Sequence, residues 1–472
     1  MIATLLRTKP LGSLLPEAGD EHRALRRVLG PWDLVAIGIG CIIGVGIFVL
    51  PGVEAAHHAG PGIILSFTIA ACACACAALC YAELAAMIPV AGSAYTYGYA
   101  TLGEIVAWII GWDLILEYMV GASLVAIGWS AYLVNLIDNI LRPFGAQVPH
   151  AWSAAPWGPN HGILNLPTIL IIAVLTWLLV RGIRESARVN LVMVIVKLAV
   201  IVIFIALTVW YVKPSNWQPF APFGFKGIMT AAAIVFLAYV GFDAVSTTAE
   251  EARNPQKDMP FGIMGSLVVA TVLYVAVAAI MTGVVPYTQL GVADPVALVL
   301  NVLEMPWASA LVSVGALAGI TSVLLVLLMG QPRILFAMSR DGLLPPAMSR
   351  VHPRFRTPYL TTIITGCIVA TAAALTPINV VAELCSIGTL FAFMIVSAGV
   401  IVLRRTRPDL HRPFRVPLFP VVPALGVVLC GYLMASLPLA TWIRFGVWLV
   451  IGLVVYSTYS FRRSHLNEPM AS

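Results

Sequence analysis

Apolar runs long enough to cross a bilayer recur from Leu34 to near Phe461, separated by short polar or basic connections. Read at roughly 18 to 30 residues each, they predict twelve helical spans. These lie near 32–57, 61–88, 103–138, 165–181, 187–212, 227–251, 261–285, 309–338, 359–376, 380–403, 419–439 and 442–461. Two of the runs are interrupted. The first holds Gly38, Gly40, Gly44 and Gly46 within eleven residues ending at Phe48, and the sixth contains Phe236-Leu-Ala-Tyr-Val-Gly-Phe-Asp243. Glycine costs about 1 kcal/mol in a helix interior relative to alanine, so such a cluster predicts a helix break or a close helix contact. At bilayer depth a break is tolerated only where its freed backbone groups line a cavity or are buried in protein.

The polar connections then set the orientation. With both termini in the cytosol, 21 of the 27 Lys and Arg residues fall in inside segments and four outside, leaving Lys197 and Arg333 within spans. That bias is a positive-inside pattern, and it accounts for the net charge of +6 without nucleic acid. Of the 472 residues, 60% are hydrophobic and 10% charged, a balance that a soluble chain cannot bury. Gly44 lies about 12 residues, or roughly 18 Å, into span 1 from the cytosol, and Gly241 about 14 residues, or roughly 21 Å, into span 6 from outside. Interrupted spans at matching depth in two five-span halves of opposite direction point to an inverted-repeat transporter. The expected organisation is a cytosolic segment over 1–30, five-helix repeats over 31–213 and 214–405, spans 11 and 12 over 406–461, and a cytosolic tail over 462–472.

Four stretches add a resemblance to the pattern. Gly38-Ile-Gly-Cys-Ile-Ile-Gly-Val-Gly-Ile-Phe48 resembles the first-helix signature of the amino acid-polyamine-organocation superfamily. Gly111-Trp-Asp-Leu-Ile-Leu-Glu-Tyr118, the run from Gly241 to Pro255, and Ser339-Arg-Asp-Gly-Leu-Leu-Pro345 resemble its cationic amino acid transporter family. Twelve spans rather than fourteen resembles the bacterial branch. The likeness implies an all-α polytopic membrane protein of the LeuT-type 5+5 inverted repeat with two broken helices and two further spans. It implies a secondary transporter importing amino acids across the inner (cytoplasmic) membrane by alternating access, coupled to protons. The alternatives are a sodium-independent amino acid or polyamine exchanger, and a non-transporting amino acid sensor on the same fold.

The expected partners are an amino acid, protons and the lipid bilayer, with a monomer or weak dimer as the assembly. No cofactor or metal is expected. An amino acid zwitterion suits a broken helix, whose free amides meet the carboxylate and whose free carbonyls meet the ammonium. Gly44, Val45 and Gly46 are the expected amide donors, and Ile42, Leu237, Ala238 and Val240 the expected carbonyls. The competing reading of the glycines is close helix packing.

Among charged residues, Lys197 sits about ten residues into span 5, where an ammonium costs several kcal/mol unless paired. The resemblance places a lysine of proton-coupled members here, where sodium-coupled relatives bind Na+, with Thr321 or Ser322 as partners; the alternative is a structural pin between helices. Asp113 and Glu117 share a face of span 3. Glu117 is expected to meet a cationic substrate side chain, or to pair with Lys197, Arg333 or another helix. Asp243 is expected to bind the broken backbone or face the amine through water. Glu250 and Glu251, with Arg253 nearby, form either a gate or a solvated helix end, and Glu83 an anchor. Val45, Leu327 and Met329 lean toward small or neutral substrates, and Glu117 toward cationic ones.

The remaining features carry less chemistry. Cys72, Cys76 and Cys80 share a helix face without an interleaved His or carboxylate, which favours small-residue packing over a metal site. Met87 to Tyr99 reads as an interfacial connection, and Trp108, Trp112 and Tyr118 as packing residues. Spans 11 and 12 are expected to be peripheral or to contact a second copy. No phosphate loop, metalloprotease motif or intramembrane His and acid cluster is present, which disfavours ATP-driven pumping and enzymatic chemistry.

Overall fold

In the computed structural model, residues 27–90, 93–141, 147–156, 162–292, 295–376, 378–435 and 439–464 are described. The first 26 residues and the tail beyond Ser464 lie outside them. Each predicted span contains described helix. Among the described residues, eight helices are long and apolar enough to cross a membrane, and four shorter apolar helices of 10–17 residues accompany them.

Span 1 is three short helices, α1 (Pro31–Ile42), α2 (Val45–Phe48) and α3 (Leu50–Glu54), followed by a π turn over Ala55–Ala59. Pro31 at the first helical turn and Asp33, whose carboxylate accepts the Gly30 amide at 2.8 Å, fix the start of α1. Then come α4 (Ile63–Met87), α5 (Ala94–Thr101), α6 (Glu104–Leu141), α7 (Leu166–Arg181) and α8 (Ile183–Thr208). Span 6 comprises α9 (Gly224–Val235), a 3₁₀ turn over Phe236–Tyr239 and α10 (Asp243–Thr247). The chain continues through α11 (Pro255–Val284), α12 (Pro295–Val302), α13 (Pro306–Arg340), α14 (Tyr359–Leu375), α15 (Ile378–Thr406), α16 (Val421–Ala435) and α17 (Leu439–Val455). The broken segments lie at the centre: α1 packs against α8, α11 and α13, and α10 against α1, α4 and α13.

Three expectations change. Span 7 begins at Pro255 rather than 261, because Pro255 starts the helix and Asp258 accepts the Asn254 amide at 3.1 Å, while Pro260 lies inside the helix, where it removes the bond to the Gln256 carbonyl. The connection after Met87 is helical rather than a run of turns. It forms α5, and Tyr95, Tyr97 and Tyr99 are buried, two of them bonded to Asp341 (2.7 Å) and Glu104 (3.2 Å). Glu250 and Glu251 are not a solvated helix end, being buried beneath guanidinium groups described below. Span 12 leaves a broad apolar face exposed, with Leu439, Ile443, Val447 and Val450 uncovered, and packs its other face on span 3. The Trp112 and Trp448 indoles stack with centroids 4.7 Å apart and each donates to the other's carbonyl, at 2.9 and 3.0 Å.

Glu83 anchors α4. Its carboxylate takes both Nε (3.0 Å) and an Nη of Arg404, and accepts the Val416 amide at 2.7 Å, while Arg412 Nε stands 3.5 Å away. Removing one partner of a buried pair strands the other charge, at a cost of about 3–5 kcal/mol. Glu83→Ala is therefore expected to lower the melting temperature of the detergent-solubilised protein clearly; an unchanged transition would show that this cluster does not hold α4 to the segment before α16.

Candidate functional site

Ile43, extended at φ −83° and ψ 103°, ends α1, and α2 resumes at Val45. The last carbonyls of a helix have no intrahelical donor and carry the negative end of its dipole. Lys197 meets that end. Its ammonium donates to the carbonyls of Ile39 (2.9 Å), Gly40 (3.1 Å) and Ile43 (2.7 Å) and to Ser322 Oγ (2.7 Å). The lysine is fully buried, and three donors are matched by four acceptors, so none of its protons lacks a partner. Ser322 continues the cluster by donating to Gly40 O, 2.9 Å away, or Gly319 O, 2.7 Å away. Thr321 does not contact the lysine: its hydroxyl accepts from Trp129 Nε1 at 2.8 Å and donates to Leu317 O at 2.7 Å. As consecutive residues of α13 the two hydroxyls point about 100° apart around the helix, and only Ser322 faces α1.

The second break faces the first. Val240 is extended, and Gly241 has φ +125°, a conformation that L side chains rarely adopt. A methyl on Gly241 would lie 2.7 Å from Cys41 Sγ, and one on Gly46 would lie 2.7 Å from the Ala238 Cβ. The glycines therefore serve both readings at once: they permit the breaks and let them touch.

Tyr274 of α11 spans the junction, its hydroxyl 2.8 Å from Ile42 O and 2.9 Å from Ala238 O. One O–H thus serves a carbonyl from each broken helix. Leu237 O is less open than expected, because it accepts the Val240 amide at 3.3 Å within the 3₁₀ turn. The amides of Gly44, Val45 and Gly46 stand at the start of the resumed helix, where a regular helix supplies no acceptor.

Asp243 binds the broken backbone as expected, its carboxylate accepting amides of Gly241, Asp243 and Ala244, and Tyr118 donates to its Oδ2 at 2.7 Å. Glu117 touches neither Lys197 nor Arg333. It accepts the Thr389 hydroxyl of α15 at 2.6 Å. Arg333 instead donates to Glu251 (3.1 and 3.4 Å) and Arg340 to Glu250 (2.6 and 3.3 Å), so the end of span 6 beyond α10 is tied down by guanidinium groups of α13 rather than by Arg253. The chain before α1 joins this closure. The Val28 and Leu29 amides donate to Glu251 O at 2.9 and 3.0 Å, and Arg253 returns a bond to Leu29 O at 2.9 Å.

Sequence reasoning missed Tyr274, Tyr118 and Thr389. The only available signal was a polar atom deep within an apolar run, and such hydroxyls and phenols are common as packing residues.

The sequence that forms these two breaks matches a known family. The profile of the amino acid permease family covers residues 29–456. The chain belongs to this family. Within it, the permease is 50% identical over 472 residues to the branched-chain amino acid permease BcaP of Bacillus subtilis, across 99% of this chain and 100% of the relative. It is 47% identical over 467 residues to the methylthioribose transporter of the same species, across 99% and 100%. It is 38% identical over 416 residues to the vacuolar cationic amino acid transporter 4 of Arabidopsis thaliana, across 86% of this chain and 68% of that one. These are permeases and transporters, and the chain is not an enzyme.

Tyr274→Phe keeps the ring and leaves two buried carbonyls without their donor, at a cost of about 1–3 kcal/mol. The ligand-free variant is expected to melt below the parent; equal melting temperatures would mean that the hydroxyl does not join the two breaks.

Proposed function

We propose that this permease imports a neutral, aliphatic amino acid across the cytoplasmic membrane by alternating access, in symport with a proton, on a LeuT-type inverted repeat. The observation that carries the reading is the Lys197 ammonium on the Ile39, Gly40 and Ile43 carbonyls, where a bound cation would otherwise be needed to hold the end of α1. In the proposed complex the amides of Gly44, Val45 and Gly46 take the substrate carboxylate. The carbonyls of Ile42, Ala238 and Val240 take its ammonium, which replaces the Tyr274 hydroxyl. Asp243, held by Tyr118, stands directly after the second break and contributes negative charge near that ammonium.

The proton cycle follows from the same contacts. A protonated Lys197 ties α8 to the end of α1 and favours the closed arrangement seen here. Loss of the proton removes one of the three donors together with the positive charge, so at least one carbonyl then needs another partner, and it loosens α1 from α8 and α13. Import requires the pairs of Glu250 and Glu251 with α13 to part so that the cytosolic side opens. The charge bias of the connections supports cytosolic termini, and the docking of α17 on α6 favours a monomer or weak dimer over an assembly built on span 12.

Apolar neighbours support a neutral substrate. Val323 of α13 packs against Gly44, a methyl on that glycine lying 2.8 Å from it, and the half-buried Leu327 lies on the same helix. The branched-chain specificity in a relative's name points the same way. A thiosugar is the second reading, favoured by the nearly equal identity to the methylthioribose transporter.

Proteoliposomes with an inside-alkaline gradient are expected to accumulate labelled leucine, with competition by valine and isoleucine. Methylthioribose as the stronger competitor would favour the second reading. Lys197→Ala is expected to abolish gradient-driven accumulation while the protein remains folded and inserted; undiminished accumulation would remove Lys197 from the coupling.

A further inference from the structure

Among the described residues, the buried acids have partners, with one exception. Glu83, Glu250 and Glu251 meet guanidinium groups, and Glu104 accepts hydroxyls of Tyr456 (2.8 Å) and Ser464 (2.6 Å). Asp113 is fully buried and neither of its oxygens has a hydrogen-bond partner. One helical turn further along α6, Glu117 is also buried and its Oε2 is likewise unpartnered; only Oε1 is met, by Thr389. Three of the four oxygens of two adjacent carboxyl groups therefore face no donor. Leaving even one ionised carboxylate unpaired inside a protein costs several kcal/mol.

The surroundings supply no positive charge. From α15 come Cys385 and Thr389. From α13 comes Gln331, whose amide reaches Ile115 O at 3.4 Å, and the nearest broken segment brings Asp243, held by Tyr118. The intramembrane cations are committed elsewhere, Lys197 to α1 and Ser322, and Arg333 to Glu251 and Met329 O. The space is also closed. Gly388 of α15 faces the pair, and a methyl there would lie 2.9 Å from Asp113 Oδ1 and 3.5 Å from Glu117 Cβ. A guanidinium, an ammonium or a hydrated metal ion does not fit between helices at that separation, whereas a proton needs no space.

We propose that Asp113 and Glu117 form a proton-binding pair at the α6 and α15 interface, occupied in this closed arrangement and separate from Lys197. Each carboxylate gains a proton from solvent when the helices close over it and returns it when they part, so no other reactant is required. The residues assigned by this inference act on protons and not on the substrate side chain, which also explains how a permease with two acids on span 3 accommodates a neutral substrate. Only that last consequence rests on the proposed function; proton occupancy is read from packing alone.

Infrared spectroscopy of the purified full chain tests it without any transport measurement. The wild-type protein at neutral pH is expected to show the carbonyl stretch of buried carboxylic acids, slow to shift in D2O. Intensity is lost in Asp113→Asn and in Glu117→Gln. Thr389→Val removes the hydroxyl donated to Glu117, and its spectrum is expected to move the Glu117 component to higher frequency, an outcome that remains readable if an isosteric acid variant does not fold. An unchanged spectrum in folded Asp113→Asn and Glu117→Gln, or in Thr389→Val, would overturn the proposal. Lys197→Ala is expected to keep the bands, so failure of proton-driven uptake and failure of this inference are told apart.

Discussion

The contact between the Lys197 ammonium and the carbonyl end of α1 is the constraint on which the centre of the molecule depends. A helix stopped in the middle of a membrane protein exposes carbonyls that neither lipid nor the next turn can satisfy. One fully buried lysine from α8 meets three of them and adds Ser322 of α13. Three helices are thereby joined at a point whose strength depends on a single proton. A permanent cation would fix them equally well, but it would not make the junction switchable.

The second constraint is contact between the two breaks. Gly241 adopts a backbone conformation that a side chain would strain, and it lies against Cys41 with no room for a methyl group. Gly46 lies against Ala238 in the same way. Tyr274 then supplies one O–H for the carbonyls of Ile42 and Ala238. These two oxygens converge on the phenol, the geometry that the proposed substrate ammonium would use. Movement of either broken helix necessarily alters the bonds of the other.

How much of this was legible in the sequence depends on the kind of interaction. The spans and both breaks were visible, because apolar length and glycine clustering are local properties. Lys197 was visible because a charge within an apolar run demands a partner, and the identity of one partner, Ser322, was within reach. The choice between Thr321 and Ser322 was not, since it rests on the rotation of α13 about its axis. Glu117 was visible as a charged residue, but its neighbour Thr389 lies 272 residues away and a hydroxyl in an apolar helix carries no distinct signal. Tyr274 was hidden for the same reason. The pairing of Glu251 with Arg333 and of Glu250 with Arg340 replaced the nearer Arg253, because partners across helices are set by packing rather than by sequence distance.

The central claim is that the proton on Lys197 closes the first break when substrate is bound. Calorimetry of leucine binding in buffers of different ionisation enthalpy reports the protons taken up with the ligand. The account predicts proton uptake by the wild-type protein and a smaller uptake by a folded Lys197→Met variant. An identical proton count in the two proteins would contradict it.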